Sequence, residues 1–379
     1  MRYHTAGESH GRAILAIVEE VPAGVPLSQE DLDSDLARRQ VGYGRGGRMA
    51  IEKDAAQVLS GVRGGVTIGS PVALLIENRD WENWSGEMAP FGQVAGESVT
   101  APRPGHADLA GVQKTGADDI RDILERASAR ETAARVAAGA VARRFLAELG
   151  VSVGSAVVSI GSAHASEDAD VFDVSAVEAS DVRCPDPAAS QAMRDAIDAA
   201  RADGETLGGT FVVWAEGLVP GVGGYATAAE RLDGRLAGAV MSIPAIKGVE
   251  VGDGFALAAR PGSEAHDEIV SEGGRLVRRT NRAGGIEGGM TNGERVVLRA
   301  VMKPIPTLMR PLASVDLATK EPVDAAKERS DVCAVPAAAV VAEAEVAMVL
   351  ADAYQRKFGF DSLADIKAAL DAYGTRLGL

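Results

Sequence analysis

A single large domain over residues 1–379, of mixed α+β class, is what the sequence predicts, and three observations predict it. Short apolar runs bounded by glycine and proline alternate, in no fixed order, with stretches of helical spacing. No repeat period is visible, and no linker is long or polar enough to cut the chain. With 379 residues, 46% of them apolar, there is material for a sizeable core.

In chain order, residues 13–21, "AILAIVEEV", read first as a buried strand stopped by Pro22. "LSQEDLDSDLARRQ" reads as a helix, with Ser28 as N-cap, Asp31 three residues later, and Arg38 and Arg39 in its last turn. "VTIGSPVALLIEN" is strand material and "DWENWSGEMAPFG" an irregular loop. Residues 125–150, "ERASARETAARVAAGAVARRFLAELG", give the clearest helix, with Ser128 and Glu131 as a capping box and Gly150 closing it. Its expected length exceeds roughly 30 Å at about 1.5 Å per residue. "VSVGSAVVSIGSA" alternates as a strand, 187–203 carry helical spacing up to Gly204, and "GGTFVVWAEGL" and "ERVVLRAVM" are further strands. The C-terminal part is helical, with Pro336 in a first turn, an end at Gly359, and a second helix capped by Asp361.

Composition narrows the partners. A net charge of −15 gives no global attraction for nucleic acid or anionic lipid. No apolar run approaches the roughly 18 residues of a membrane span, and the N-terminus lacks a signal-like apolar stretch, so no membrane association and a cytoplasmic location are expected. Cys184 and Cys333 stand in dissimilar contexts, which argues against a disulfide framework or a zinc site and for two buried small hydrophobes. Arginine is concentrated early, at Arg38, Arg39, Arg45, Arg48, Arg103, Arg121, Arg126, Arg130 and Arg135, often beside glycine. An acidic chain can therefore still hold a cationic pocket. Its 44 glycines gather in clusters such as "GYGRGG" and "GGIEGGMTNG", which suit tight turns and close backbone approach to a ligand.

Several short motifs carry chemistry. Gly7-Glu8-Ser9-His10-Gly11 satisfies the nucleophile-elbow pattern, but that elbow needs a strand before it and a helix after it. Only six residues precede Gly7, a strand-like run follows Gly11, and no "HGGG" partner is present. The stretch therefore exists for its histidine rather than its serine: His10 is either a proton donor oriented by its neighbours or a structural turn residue. Gly42, Gly44 and Gly47 match a dinucleotide fingerprint, yet they follow a helix and are laced with arginine. That loop either grips phosphate or carboxylate or lies free at the surface. In "RPGHAD", Asp108 lies close enough in sequence to orient His106, which is otherwise an ordinary surface histidine. Arg126, Ser128 and Arg130 surround a helix N-terminus, a ready anion site or a plain cap. "KPIPT", residues 303–307, is a stiff extended segment, and Arg329 and Asp331 in "ERSDVCAVPAA" are either functional or a structural ion pair.

Taken in order, "GESHG", "GYGRG", "RPGHAD", "RASARETAARVAAGAVA", "IKGVEVGDGF", "GGMTNGE", "KPIPT" and "RSDVCAVPAA" resemble the chorismate synthase family over nearly the whole chain. Thr115 departs from the family, which often has an aromatic residue there, and 160–203 hold no family motif. The resemblance implies a β-α-β sandwich with helices packed between antiparallel sheets, assembled as a homotetramer. It implies a lyase acting on a phosphorylated small molecule, 5-enolpyruvylshikimate 3-phosphate, giving chorismate and phosphate by a trans 1,4-elimination that requires reduced FMN. By motif, His10 would protonate the leaving phosphate, His106 would protonate or polarise the reduced flavin, and Asp331 would assist proton removal through flavin N5, with Ser9 as relay. The matching FMN positions are Arg126, Ala127, Ser128, Pro244, Ala245, Gly288, Lys303, Pro304, Ile305, Pro306, Thr307 and Arg329. Arg39 and Arg45 match positions for NADPH or for substrate anions, and no metal is implied. The rival classes are an NADPH-dependent flavin oxidoreductase and a non-catalytic anion-binding protein. Stoichiometric consumption of NADPH would mark the first.

Overall fold

A computed structural model of the chain describes residues 1–46, 53–326 and 330–379. Its first sheet is built from β1 (Arg2–Ala6), β2 (Ala13–Glu19), β3 (Gln57–Ser60) and β4 (Val72–Glu77), in the order β1-β2-β4-β3 with every pairing antiparallel. Alternation sets its faces: Ile14, Ala16 and Val18 of β2 and Val72, Leu74 and Ile76 of β4 are buried, while Leu15 and Ile17 point outward. The second sheet comprises β5 (Ser152–Ile160), β6 (Ala163–His164), β7 (Gly209–Glu216), β8 (Ile246–Val251) and β9 (Val296–Met302), ordered β8-β9-β7-β5-β6 and again antiparallel throughout.

The longer helices are α1 (Gln29–Gln40), α2 (Asp108–Thr115), α3 (Thr132–Ala147), α4 (Pro187–Asp203), α5 (Leu232–Met241), α6 (Val335–Phe358) and α7 (Leu363–Leu377). Helix α3 packs on β2 and β4, α6 packs on β5 and β7, and the two helices pack on each other with α1 against both. The result is the β-α-β sandwich that the resemblance implies. Helix α6 is buried along almost its whole length, which its near-continuous Ala/Val/Leu composition allows. Where the central helices cross, a Cβ on Gly139 would lie 2.2 Å from the Cβ of Ala344, so only glycine permits this approach.

One ion cluster sits inside the sandwich. Glu343 of α6 is fully buried and receives Arg38 of α1 (2.8 Å), Arg143 of α3 (3.1 Å) and Arg183 (3.3 Å), with the Ser155 hydroxyl of β5 donating at 2.6 Å. Burial alone would push this carboxyl up, but the three guanidinium charges and the Arg38 hydrogen bonds hold it at about 2. The cluster ties α1, α3 and α6 to the second sheet.

Several local expectations need correction. Residues 125–150 do not form one helix: α3 begins only at Thr132, after a 3₁₀ turn at Ala129–Glu131, and spans 16 residues. Ser128 caps that turn by accepting from the Arg130 amide, but Glu131 does not reciprocate, because its carboxylate is taken by Thr5 and Arg135. A long-range partner has outcompeted the local box. Helix α7 is capped by Ser362 rather than Asp361 and runs through Gly374. The capping box at Ser28 and Asp31, the span of α4 and its Gly204 terminus are as the sequence predicts. Both cysteines are buried, and burial pushes the Cys333 thiol up to about 11. Among the described residues, no helix is long and apolar enough to cross a membrane.

Gly139→Ala is expected to lower stability by about 1–3 kcal/mol through overpacking, despite alanine's better helix propensity, read as a lower urea midpoint. Because Glu343 titrates below its unfolded value of 4.5, its contribution is present above that pH and lost as pH falls toward about 2. Acid unfolding of Glu343→Gln should accordingly show a flatter limb across that window.

Candidate active site

The "GESHG" stretch is the turn between β1 and β2. Gly7 adopts φ +103°, and a Cβ there would lie 2.3 Å from the Ala13 carbonyl oxygen, so the tight reversal demands glycine. A strand does precede Gly7, contrary to the expectation from sequence, but the element after Gly11 is strand β2 and not a helix. The hydrolase geometry is thus missing on its other side. Ser9 is buried, donates its amide N–H to the Glu125 carbonyl (3.0 Å) and accepts from the Ser128 hydroxyl (3.1 Å).

A buried strut fixes this turn from below. Asn78, just beyond β4, donates its amide group to the carbonyls of Glu8 (3.1 Å) and Gly11 (2.6 Å) and accepts from Arg130 Nε (2.9 Å). Arg130 is in turn paired with Asp54 at 2.5 Å. The His10 turn is therefore braced by side chains from three distant segments.

Each candidate histidine is clamped at Nδ1 by a buried carboxylate. His10 Nδ1 lies 2.8 and 3.0 Å from the two oxygens of Glu125, whose Oε2 also accepts from the His10 amide (2.8 Å). The imidazole stacks on Trp84, with centroids 3.9 Å apart, and Arg121 lies over that indole while pairing with Glu125 at 3.3 Å. Burial would raise the Glu125 carboxyl, but the hydrogen bonds from His10 and the nearby Arg121 charge hold it below the usual value. His106 Nδ1 lies 2.5 Å from Asp108 Oδ1, and Arg103 forks onto the same carboxylate at 2.9 and 3.1 Å. Arg103 Nη2 is also 3.1 Å from His106 Nδ1, but the shorter carboxylate contact identifies Asp108 as the acceptor of the ring proton. Burial opposes ionisation of Asp108, yet the His106 and Arg103 bonds depress its titration far below the ordinary range. A carboxylate at Nδ1 leaves Nε2 as the nitrogen through which either ring can pass a proton outward.

Buried arginines gather beside the His10 turn. Arg39, only 3% exposed, donates to Thr132 Oγ1 (3.0 Å) and the Ala129 carbonyl (2.9 Å) and faces Asp54 at 3.5 Å. Desolvation lowers Arg39 to about 9; Asp54 and Asp331 oppose that shift, whereas the charges of Arg45 and Arg130 add to it. Asp331 accepts from the Gly46 amide (2.6 Å) and pairs with Arg45 (3.2 Å). The arginine-glycine loop and the segment entering α6 thus meet at Asp331. Arg329, Gly47 and Arg48 lie outside the described residues.

The remaining positions form a connected band. Arg126, 40% exposed at its side chain, donates to the Gly7 carbonyl (3.1 Å) and to Thr5, and Ala127 belongs to the same turn as Ser128. Arg135 reaches Ser242 at 2.8 Å, beside Pro244 and Ala245, and Ala245 holds a left-handed φ of +68° while its carbonyl accepts from the Lys303 amide (2.9 Å). Lys303 Nζ donates to the Gly105 carbonyl next to His106. "KPIPT" has no regular structure: Pro304 and Pro306 flank Ile305, whose carbonyl accepts from Thr206 (2.7 Å), and Thr307 accepts from Arg103 (3.1 Å). Leu207 then hydrogen-bonds to Val332, next to Asp331. Gly288 stands apart, in the hairpin between Ile286–Glu287 and Met290–Thr291.

Sequence reasoning missed Glu125, Trp84, Asn78 and Asp54. Glu125 is the first residue of "ERASARET", but its histidine is 115 positions away, and Trp84 belongs to a short helix, Trp81–Trp84, inside what reads as a loop. No local pattern connects either to His10.

Comparison with known proteins matches residues 1–355 to the family model described as chorismate synthase. The chain is 57% identical over 378 residues to a chorismate synthase of Rubrobacter xylanophilus, covering 100% of this chain and 97% of that protein. It is 60% identical over 375 residues to one from Moorella thermoacetica, covering 98% of each. A crystal structure of chorismate synthase superposes with a TM-score of 0.80 at 42% identity, over 99% of this chain and 98% of that one.

Asn78→Ala removes two donors to the turn and one acceptor from a buried guanidinium. The expected cost is about 1–3 kcal/mol of stability, with faster amide hydrogen exchange at residues 8–11, checked by denaturant titration and exchange mass spectrometry.

Proposed function

The chain belongs to the chorismate synthase family and is a chorismate-forming lyase, and on that premise we propose that it acts on 5-enolpyruvylshikimate 3-phosphate by a trans 1,4-elimination that requires reduced FMN. One ring carbon loses a proton, the allylic C–O bond breaks with its electron pair leaving on phosphate, and two double bonds end conjugated. No net oxidation occurs. The observation that carries this reading is the buried cation cluster of Arg39, Arg45 and Arg130 beside His10, in a chain of net charge −15. Three guanidinium groups gathered around Asp54 and Asp331 suit a substrate that bears phosphate and carboxylates.

Within that cluster His10 donates a proton to the departing phosphate oxygen, so that charge does not accumulate as the bond breaks. Arg39 and Arg45 hold the anions in place, and Ser9, bonded to Ser128, stiffens the turn and can relay a proton. Asp331, oriented by Arg45 and the Gly46 amide, assists removal of the ring proton. The donor set of the second band fits a flavin mononucleotide: the exposed Arg126 guanidinium and the Ser128 hydroxyl suit a phosphate, and Lys303, Thr307 and the strained backbone at Ala245 offer charge and hydrogen bonds to a flat polar edge. When bound, reduced flavin supplies the electron density that weakens the allylic C–O bond. His106, clamped by Asp108, keeps a proton available beside Lys303 and Gly105. A homotetramer is part of the same reading, supported by the outward apolar residues Leu15 and Ile17 on the first sheet.

His10→Ala and His106→Ala are each expected to lower turnover by roughly 10²- to 10⁴-fold with the fold retained. The decisive assay is anaerobic incubation of the substrate with enzyme and photoreduced FMN. Phosphate and chorismate should appear one for one without consumption of reductant; stoichiometric NADPH oxidation would instead favour a flavin oxidoreductase.

A further inference from the structure

We infer that Glu125 is the positioning residue of His10, holding the neutral imidazole in the tautomer whose proton sits on Nδ1 and so reserving Nε2 for exchange with the reacting group. The inference rests on the reading of His10 as the acid. Its geometry, however, is independent of any substrate.

Glu125 grips the turn at three points. Its carboxylate meets Nδ1 at 2.8 and 3.0 Å, the same carboxylate accepts from the His10 amide at 2.8 Å, and its own carbonyl accepts from the Ser9 amide at 3.0 Å. The side chain is 1% exposed, so water does not compete for these bonds. Contact at Nδ1 sets the tautomer, because a carboxylate accepts and cannot donate. The stacked indole of Trp84, at 3.9 Å and 26° between planes, opposes rotation of the ring. Arg121 closes the arrangement by pairing with Glu125 at 3.3 Å and lying over the Trp84 ring at 5.2 Å. A free imidazole would distribute its proton between both nitrogens. Here one nitrogen is committed.

Two measurements on the full chain test this. Long-range ¹H–¹⁵N spectra of enzyme labelled in its five histidines, with His10 identified by its loss in His10→Ala, should show the neutral ring protonated on Nδ1, and Glu125→Gln should erase that preference. A wild-type ring protonated on Nε2, or an unchanged spectrum in Glu125→Gln, overturns the proposal. In steady-state kinetics Glu125→Gln should lower kcat about 10- to 100-fold, the range for carboxylates that orient a working histidine, with KM changed less than about twofold. The same substitution made in His10→Ala should cost nothing further, and an equal loss there would show that Glu125 does not act through His10. If His10→Ala alone retains full turnover, the assignment of His10 as the acid falls, while the spectrum still decides whether Glu125 positions the ring.

Discussion

The contact between α3 and α6 is the constraint on which the rest of this molecule depends. Gly139 and Ala344 bring two helices so close that no side chain separates them, and each helix then offers its other face to one sheet. Buried small residues run along both partners, Ala133, Ala134, Ala137 and Ala138 on one and Ala337, Ala338 and Ala339 on the other. A larger residue at the crossing would part the sheets, and with them the segments that carry the chemistry. The last turn of α1 meets the first residue of α3 through Arg39 on Thr132, and the segment leading into α6 meets Arg45 through Asp331.

Charge is handled in two opposite ways around those helices. At Glu343 three arginines surround one carboxylate whose ionised state they enforce, and nothing there asks for a ligand. Near Ser9, by contrast, Arg39 is held in a place that penalises its own charge. Desolvated groups of one sign are costly unless something of the other sign is supplied. The first arrangement centres on a carboxylate, whereas the second centres on arginines. That contrast separates the structural arginines from those assigned to substrate, a distinction invisible in a list of arginine positions.

Much of the fold and part of the site were legible in the sequence. Strand β2, the Ser28 cap, α4 ending at Gly204 and the helical C-terminus follow from local pattern, because periodicity and capping are themselves local effects. Where distant partners win, the local reading fails. Glu131 abandons its cap for Thr5 and Arg135, and β1 gives no apolar run because its outer positions are polar. The order of motifs identified the family, and pointed to His10, His106 and Asp331 as candidates. It did not reveal Glu125 or Asn78, whose roles exist only once residues more than sixty positions apart are brought into contact.

The buried thiols have a practical consequence for any study of electron flow. Cys184 and Cys333 are the chain's only cysteines, both are enclosed, and the ordinary thiolate fraction is suppressed further at Cys333, two residues from Asp331. A free thiol is already the reduced form, so an added reductant finds no electron acceptor in either side chain. In a reductive titration the two cysteines are silent, and any electrons taken up belong to what the chain binds.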